Sequence, residues 1–99
     1  MRMGDLVLLR QDDIYRKGRT DPLSIPVWRY KDDGKPTPYS QIAEGQLATV
    51  LDWEPAGTPY SNNSDSIRKV GAVEVMLADG ERWWLLEPRC ILVQEASDG

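Results

Sequence analysis

Few types of side chain in this sequence could act as catalytic acids, bases or nucleophiles. The chain of 99 residues contains 16 Asp and Glu residues, one Cys and no His. The lack of His removes the commonest general base and the commonest nitrogen ligand for metals. A structural zinc site and a Ser-His-Asp or Cys-His pair are therefore excluded. A carboxylate-only mechanism stays open in principle, but no acidic pair stands out from turn and loop chemistry. We expect a protein that is not an enzyme and that uses no cofactor and no metal.

The single cysteine, Cys90, cannot form an internal disulfide bond. It directly precedes the apolar run "ILV" at 91–93. A cysteine in such a position behaves as a small hydrophobic residue more often than as a reactive thiol. We therefore expect Cys90 to be buried.

The charged residues are unevenly distributed along the chain. The net charge is −4, yet residues 1–40 hold eight basic and six acidic residues, whereas residues 41–99 hold four and ten. Aromatic side chains that could stack on bases lie among the basic ones. The simpler interpretation is a solvated loop of mixed charge. The alternative is a single-stranded nucleic-acid-binding barrel that uses segment 10–35, with contacts from Arg10, Tyr15, Arg16, Lys17, Arg19, Arg29 and Lys31.

Nucleic acid is the less favoured partner, because the remainder of the chain is acidic and repels phosphate.

Short apolar runs separated by turn residues predict an all-β fold. Five strands are predicted, at 3–10, 45–55, 69–77, 81–87 and 91–95. The "EPRC" segment before the last strand predicts a 3₁₀-like turn. No helical period is sustained over ten residues.

The long first connection, residues 11–45, is called the excursion below. It contains four prolines and three glycines, and loops of this length are usually functional or disordered. Its apolar residues are too many for a disordered tail. We expect one domain over 1–99 in which the excursion is ordered and packs on the barrel, with a mobile loop at 61–66 and a frayed tail at 96–99.

The Asp79-Gly80 pair predicts a two-residue type I′ hairpin turn. This register places Trp84 opposite Val75 and Trp83 opposite Met76. Trp84 would then lie in the core, and Trp83 would point outward. A shift of one residue would exchange the two tryptophans. We disfavour that shift on the ground that it would bring Glu74 into the core.

In this register Met76, Trp83 and Leu85 form an outward apolar patch that needs a cover or a partner. One interpretation is that the excursion folds over it with Trp28 or Tyr30. The other is that it binds a protein partner, including a second copy of this chain. Met76, Trp83, Leu85, Trp28 and Tyr30 are thus the candidate partner-binding residues, and the predicted function is a non-catalytic protein-interaction module.

The pattern of strands resembles the SH3-like barrels. The resemblance rests on "GDLVLL" for the first strand, "GQLATVLDW" for the second, and "VEVMLADGERWWLLEPRCILV" for the hairpin, turn and last strand. It is similar to small phage-encoded and bacterial SH3-like proteins, and more distantly to SH3-like accessory subunits of photosynthetic electron-transfer complexes. The resemblance implies a five-stranded, partly open barrel with a long first loop, and a phage accessory or virion-associated protein.

The first loop lacks the "ALYDY"-like pattern of signalling SH3 domains, so binding of proline-rich peptides is not expected. A methyl-lysine cage is possible in principle, but the sequence assigns no ordered set of three aromatic side chains to it.

No secretory signal or membrane-spanning run is visible, since "LVLL" at 6–9 is far too short for either. We expect a cytoplasmic protein, located in the host cytoplasm or the virion if it is phage-encoded.

Overall fold

The chain folds into short antiparallel strands in two sheets. The structure is a computed structural model that describes residues 1–57 and 68–96. The strands are β1 (Leu6–Leu9), β2 (Ser24–Val27), β3 (Ser40–Ala43), β4 (Leu47–Glu54), β5 (Ala72–Leu77), β6 (Arg82–Leu86) and β7 (Cys90–Gln94), with 3₁₀ helices at Asp13–Tyr15 and Glu87–Arg89. The described part of the chain contains no α-helix.

The all-β prediction is confirmed, and so is the 3₁₀ turn before the last strand. The five predicted strands correspond to β1 and β4 to β7. The pairing of β2 with β3 inside the excursion was not predicted. The loop at 61–66 and residues 97–99 of the tail lie outside the described residues. Ala96, where the tail was expected to begin, donates its N–H to Asp5 Oδ1 at 2.7 Å.

The larger sheet has five strands in the order β6-β5-β4-β1-β7, and β2 and β3 form a separate two-stranded sheet. All pairs are antiparallel. Within the described residues the five-stranded sheet does not close on itself, so β6 and β7 are its edges.

The main core lies between the two sheets, and alternation along each strand determines which side chains enter it. Its buried members are Val7, Leu9, Ile25, Val27, Ala48, Val50, Val73, Val75, Leu77, Trp83, Leu85 and Cys90. The expected burial of Cys90 is confirmed. Removal from water, aided by the nearby Glu87 carboxylate, raises the pKa of its thiol to about 12, so the thiol stays protonated at neutral pH.

The hairpin between β5 and β6 differs from its prediction by one residue. Val75 pairs with Trp83, and Glu74 pairs with Trp84. The turn has three residues, because the Leu77 N–H donates to the Glu81 carbonyl at 2.8 Å. A type I′ turn needs positive φ at both central residues. Gly80 has a φ of +88°, but no residue other than glycine has a positive φ in the described chain, so Asp79 does not satisfy this requirement.

The register exchanges the predicted roles of the two tryptophans. Trp83 lies in the main core, and Trp84 lies on the opposite face of β6. The argument from Glu74 was also wrong. Shifting β6 changes the faces of β6 only, so Glu74 stays on the outer face of β5 in either register, where it is half-buried.

Trp84 is nevertheless buried, because the excursion covers it. The Trp28 N–H donates to the Trp84 carbonyl at 3.0 Å, and the Trp84 N–H donates to the Trp28 carbonyl at 2.8 Å. Trp28, Ala72 and Trp84 form a second buried cluster. The excursion therefore covers the outer face of the hairpin, as one of the two interpretations expected. The tryptophan that it covers is Trp84 and not Trp83.

One carboxylate holds the base of the excursion. Glu44 accepts the N–H groups of Gln11 at 3.0 Å and Leu23 at 2.9 Å. It also pairs with the guanidinium of Arg16. The bond to Arg16, followed by those to the backbone, lowers the pKa of Glu44 from 4.5 to about 2. Glu44 thereby links the two ends of the excursion.

The observed register predicts which tryptophan the core needs most. Truncation of Trp83 to Ala is expected to lower the free energy of unfolding by about 3–5 kcal/mol, the usual loss for a buried large aromatic. The control is Met76→Ala. Met76 follows Val75, the partner of Trp83, and its side chain is exposed on the outer face of the hairpin. This variant should lower the free energy of unfolding by less than about 1 kcal/mol. Urea titrations measure both values. Equal losses in the two variants would contradict the register.

Glu44 predicts a specific loss of stability in acid. Its pKa is lower in the folded state than in the unfolded chain, so its stabilising effect is complete above about pH 4.5 and is lost as the pH falls towards 2. Urea titrations between pH 6 and pH 2 on wild type and Glu44→Gln check this. The difference in stability between the two proteins should shrink across that range. A difference that stays constant with pH would contradict the assignment.

Candidate functional site: an aromatic pocket beside a buried arginine

The excursion forms a pocket where the β2–β3 ladder ends. The last ladder pair is Val27 with Ser40, so Trp28 and Tyr39 follow on facing positions. Further along, Tyr30 forms an isolated bridge with Pro36. Residues 31–35 make the turn between them, with the Lys31 N–H donating to the Lys35 carbonyl at 2.8 Å.

Three aromatic rings meet at this end of the excursion. The Trp28 ring lies 6.5 Å from Tyr30 at an interplanar angle of 89°, and 5.8 Å from Tyr39 at 82°. Tyr30 lies 5.4 Å from Trp84 at 74°. These are edge-to-face contacts, which aromatic pairs favour. Trp28 is buried, whereas Tyr39 is 63% exposed, so the cluster extends from the interior to the surface.

The pocket beside these rings has a volume of about 260 Å³. Its lining is mostly aromatic side chains and prolines, namely Trp28, Tyr30, Pro36, Thr37, Pro38, Tyr39 and Arg68. The volume is somewhat below the roughly 300–1,000 Å³ of sites for drug-sized ligands. It suits a single amino-acid side chain with part of its backbone.

Arg68 is the charged residue among the described residues that line this pocket. The side chain is 2% exposed, and its Nη2 donates to Glu54 Oε2 at 2.5 Å. The Tyr30 hydroxyl donates to the same oxygen at 3.2 Å. Burial raises the pKa of Tyr30, which keeps the hydroxyl protonated as a donor. Glu54 therefore accepts from two of the pocket's lining residues.

Two nitrogens of Arg68 have no hydrogen-bond partner among the described residues. Nε and Nη1 are buried and make no hydrogen bond with any described residue. A buried donor that is left unsatisfied costs about 1–3 kcal/mol, and such groups are rare in folded proteins. Arg68 is thus a buried cation at the pocket wall with two donor nitrogens that no described residue accepts.

The predicted partner-binding residues do not form one surface. Trp28 and Tyr30 lie at the pocket. Trp83 and Leu85 are in the main core, which corrects their predicted outward positions. Met76 is exposed on the outer face of the large sheet, opposite Thr49 and Arg82.

Arg29 covers the edge of the core beside Trp83. Its guanidinium carbon lies 3.6 Å from the centroid of the Trp83 ring, a cation–π contact. Its Nε also donates to the Arg82 carbonyl at 3.0 Å. Both contacts hold Arg29 against its own protein.

The other residues named for nucleic-acid binding divide into two groups. Arg10 and Arg16 pair with acidic side chains, Arg10 with Asp13 at 3.1 Å and Arg16 with Glu44. Tyr15, Lys17, Arg19 and Lys31 are exposed. The exposed group lies in two separate loops and does not form one continuous basic stripe in sequence.

Sequence reasoning missed Tyr39, Glu54 and Arg68. The alternating prolines before Tyr39 are typical of a loop and gave no reason to place its ring beside Trp28. Arg68 follows a polar segment and Glu54 ends a strand. Neither has a local signal, because what brings them together is the pairing of β4 with β5.

Comparison with known proteins identifies no relative. No family model matches the chain, and no curated protein or solved structure is significantly similar to it. Within residues 1–57 and 68–96, no helix is long and apolar enough to cross a membrane. The same residues contain no group of three or more His, Cys, Asp or Glu side chains that could hold a metal ion.

The buried ion pair predicts different outcomes for two substitutions of Glu54. Glu54→Ala leaves a further buried nitrogen of Arg68 without an acceptor and should lower the free energy of unfolding by about 1–3 kcal/mol. Glu54→Gln keeps an acceptor oxygen for Arg68 and should cost clearly less. Denaturant titrations of both variants provide the measurement. An alanine variant as stable as the glutamine variant would show that Arg68 does not depend on Glu54.

Proposed function

We propose that this protein is a non-catalytic protein-interaction module that binds a segment of its partner in the aromatic pocket. The observation that carries the proposal is the convergence of three aromatic rings and one buried arginine on a concave surface. Trp, Tyr and Arg are the residue types that contribute most of the binding energy at protein interfaces.

The three aromatic rings of the pocket can bind a partner with little loss of side-chain conformational entropy. Trp28 and Tyr30 are fixed by their neighbours, so they need no ordering when a partner arrives. Tyr39 is held on one side by Trp28 and is open on the other. A partner residue placed between Tyr39 and Arg68 would bury apolar surface that now faces solvent.

We also propose that the fold is an SH3-like, partly open barrel. Three features support this proposal: β7 returns to pair with β1, β4 to β6 form a meander, and a 3₁₀ helix precedes the last strand. The excursion occupies the long first connection. The assignment to phage-encoded or bacterial accessory proteins, including virion-associated ones, rests on the sequence resemblance. The cytoplasmic location is proposed from the sequence, in which no secretory or membrane-spanning segment is visible.

A protein partner is favoured over single-stranded nucleic acid. Nucleic-acid binding of the proposed kind needs basic side chains that reach phosphates. Arg10, Arg16 and Arg29 instead contact side chains or backbone of their own chain. The partner is either another protein or a second copy of this chain, which sedimentation of the purified protein distinguishes.

Selection from a displayed library of random peptides tests the proposal. Peptides that bind the wild-type protein should lose about tenfold or more in affinity with Tyr39→Ala, because interface tyrosines are frequent hot spots. Tyr39 is largely exposed, so this variant should remain folded. Tyr15→Ala removes another exposed tyrosine, 55% exposed and outside the pocket, and should have no effect. Binding that is insensitive to Tyr39 would refute the assignment of the pocket.

A further inference from the structure

We infer that the pocket selects a carboxylate that is attached to an apolar group. The inference rests on the proposed function of the pocket and names the chemistry of its ligand. Two sources share that chemistry: the free C-terminus of a peptide whose last residue is apolar, and an Asp or Glu side chain beside an apolar residue.

The guanidinium of Arg68 makes the pocket unfavourable for cationic ligands. Rings alone would favour a cationic ligand such as an ammonium group. Here a guanidinium lies in the lining and would repel it. The only carboxylate in contact with that guanidinium among the described residues, Glu54, already accepts from Arg68 and Tyr30.

An acceptor on the ligand would satisfy donor nitrogens of Arg68 that no described residue accepts. Nε and Nη1 can each donate. Hydrogen bonds from a guanidinium to a carboxylate are roughly twice as strong as neutral ones. Segment 28–39 supplies six of the seven described lining residues and carries three basic and two acidic residues. Lys69 follows Arg68, and Glu54 offsets one of these positive charges. The local charge therefore favours an anionic acceptor over a neutral one.

The remaining lining requires an apolar body behind the acceptor. Three aromatic residues and two prolines face the space. A volume of about 260 Å³ holds a ring or a branched side chain, but not a nucleotide or a larger cofactor. A small anion without an apolar part would leave these walls in contact with water.

Three probes that differ only in their head group test the inference: 3-phenylpropionate, 3-phenylpropionamide and 3-phenylpropylammonium. Each is titrated into ¹⁵N-labelled protein while the indole N–H signal of Trp28 is followed by NMR. Probes of this size are expected to bind in the millimolar range. The carboxylate should bind about fivefold or more tightly than the amide, because it pairs a negative charge with the guanidinium whereas the amide oxygen is neutral. The ammonium probe should bind weakest.

Variants separate the contribution of charge from that of the apolar walls. Glu54→Gln removes a negative charge and keeps an acceptor for Arg68, so it should strengthen binding of the carboxylate several-fold and leave the amide unchanged. Tyr39→Ala should weaken both probes by a similar factor. Tyr15→Ala is the matched control and should change neither.

The outcomes distinguish this inference from the proposed function. If the amide or the ammonium probe shifts the Trp28 signal at concentrations as low as the carboxylate does, the inference is wrong and the pocket remains a binding site. If none of the probes shifts the signal, both the inference and the proposed function are overturned.

Capped dipeptides then identify the source of the carboxylate. N-acetyl-Gly-Phe with a free C-terminus offers the terminal carboxylate, and N-acetyl-Phe-Glu-amide offers the side-chain one. N-acetyl-Gly-Phe-amide is the neutral control. The anionic peptide with the higher affinity identifies the source of the carboxylate. If neither binds more tightly than the neutral control, the inference is overturned.

Discussion

The backbone bridge between Trp28 and Trp84 is the interaction on which the rest of the molecule depends. Its two hydrogen bonds, of 3.0 and 2.8 Å, attach the excursion to the outer edge of β6. An edge strand that is left open invites pairing with other chains, and here the protein's own excursion occupies part of it. The bridge also sets the position of Trp28, and the two other rings of the pocket are placed against Trp28 and Trp84.

The bridge makes β6 a strand that is buried on both faces. Trp83 and Leu85 point into the main core, and Trp84 points towards the excursion. Both adjacent tryptophans are therefore structural, and the exposed aromatic surface of the pocket comes from Tyr39 instead. Arg68 and Glu54 complete the pocket from the end of β4 and the approach to β5. A site of this kind is fixed by elements far apart in sequence, so its geometry depends on the whole fold.

Local patterns were sufficient for the five strands of the larger sheet and for the 3₁₀ turn, but not for the hairpin register. Asp-Gly fits both a two-residue turn and a three-residue turn with glycine in the left-handed conformation. The four apolar residues at 83–86 place hydrophobic side chains on both faces in either register, so hydrophobicity did not select one. The bridge, the β2–β3 pair and the contact of Arg68 with Glu54 are long-range. No local pattern in the sequence specifies them.

The contacts of the two indole rings test this account most directly. A NOESY spectrum of the folded protein should show NOEs from the Trp84 indole to the Tyr30 ring, whose centroid lies 5.4 Å away. It should also show NOEs from the Trp83 indole to the methyl groups of Val75, its partner across the hairpin. The reverse pattern, with Trp83 next to Tyr30 and Trp84 next to Val75, would contradict the register and with it the bridge and the pocket.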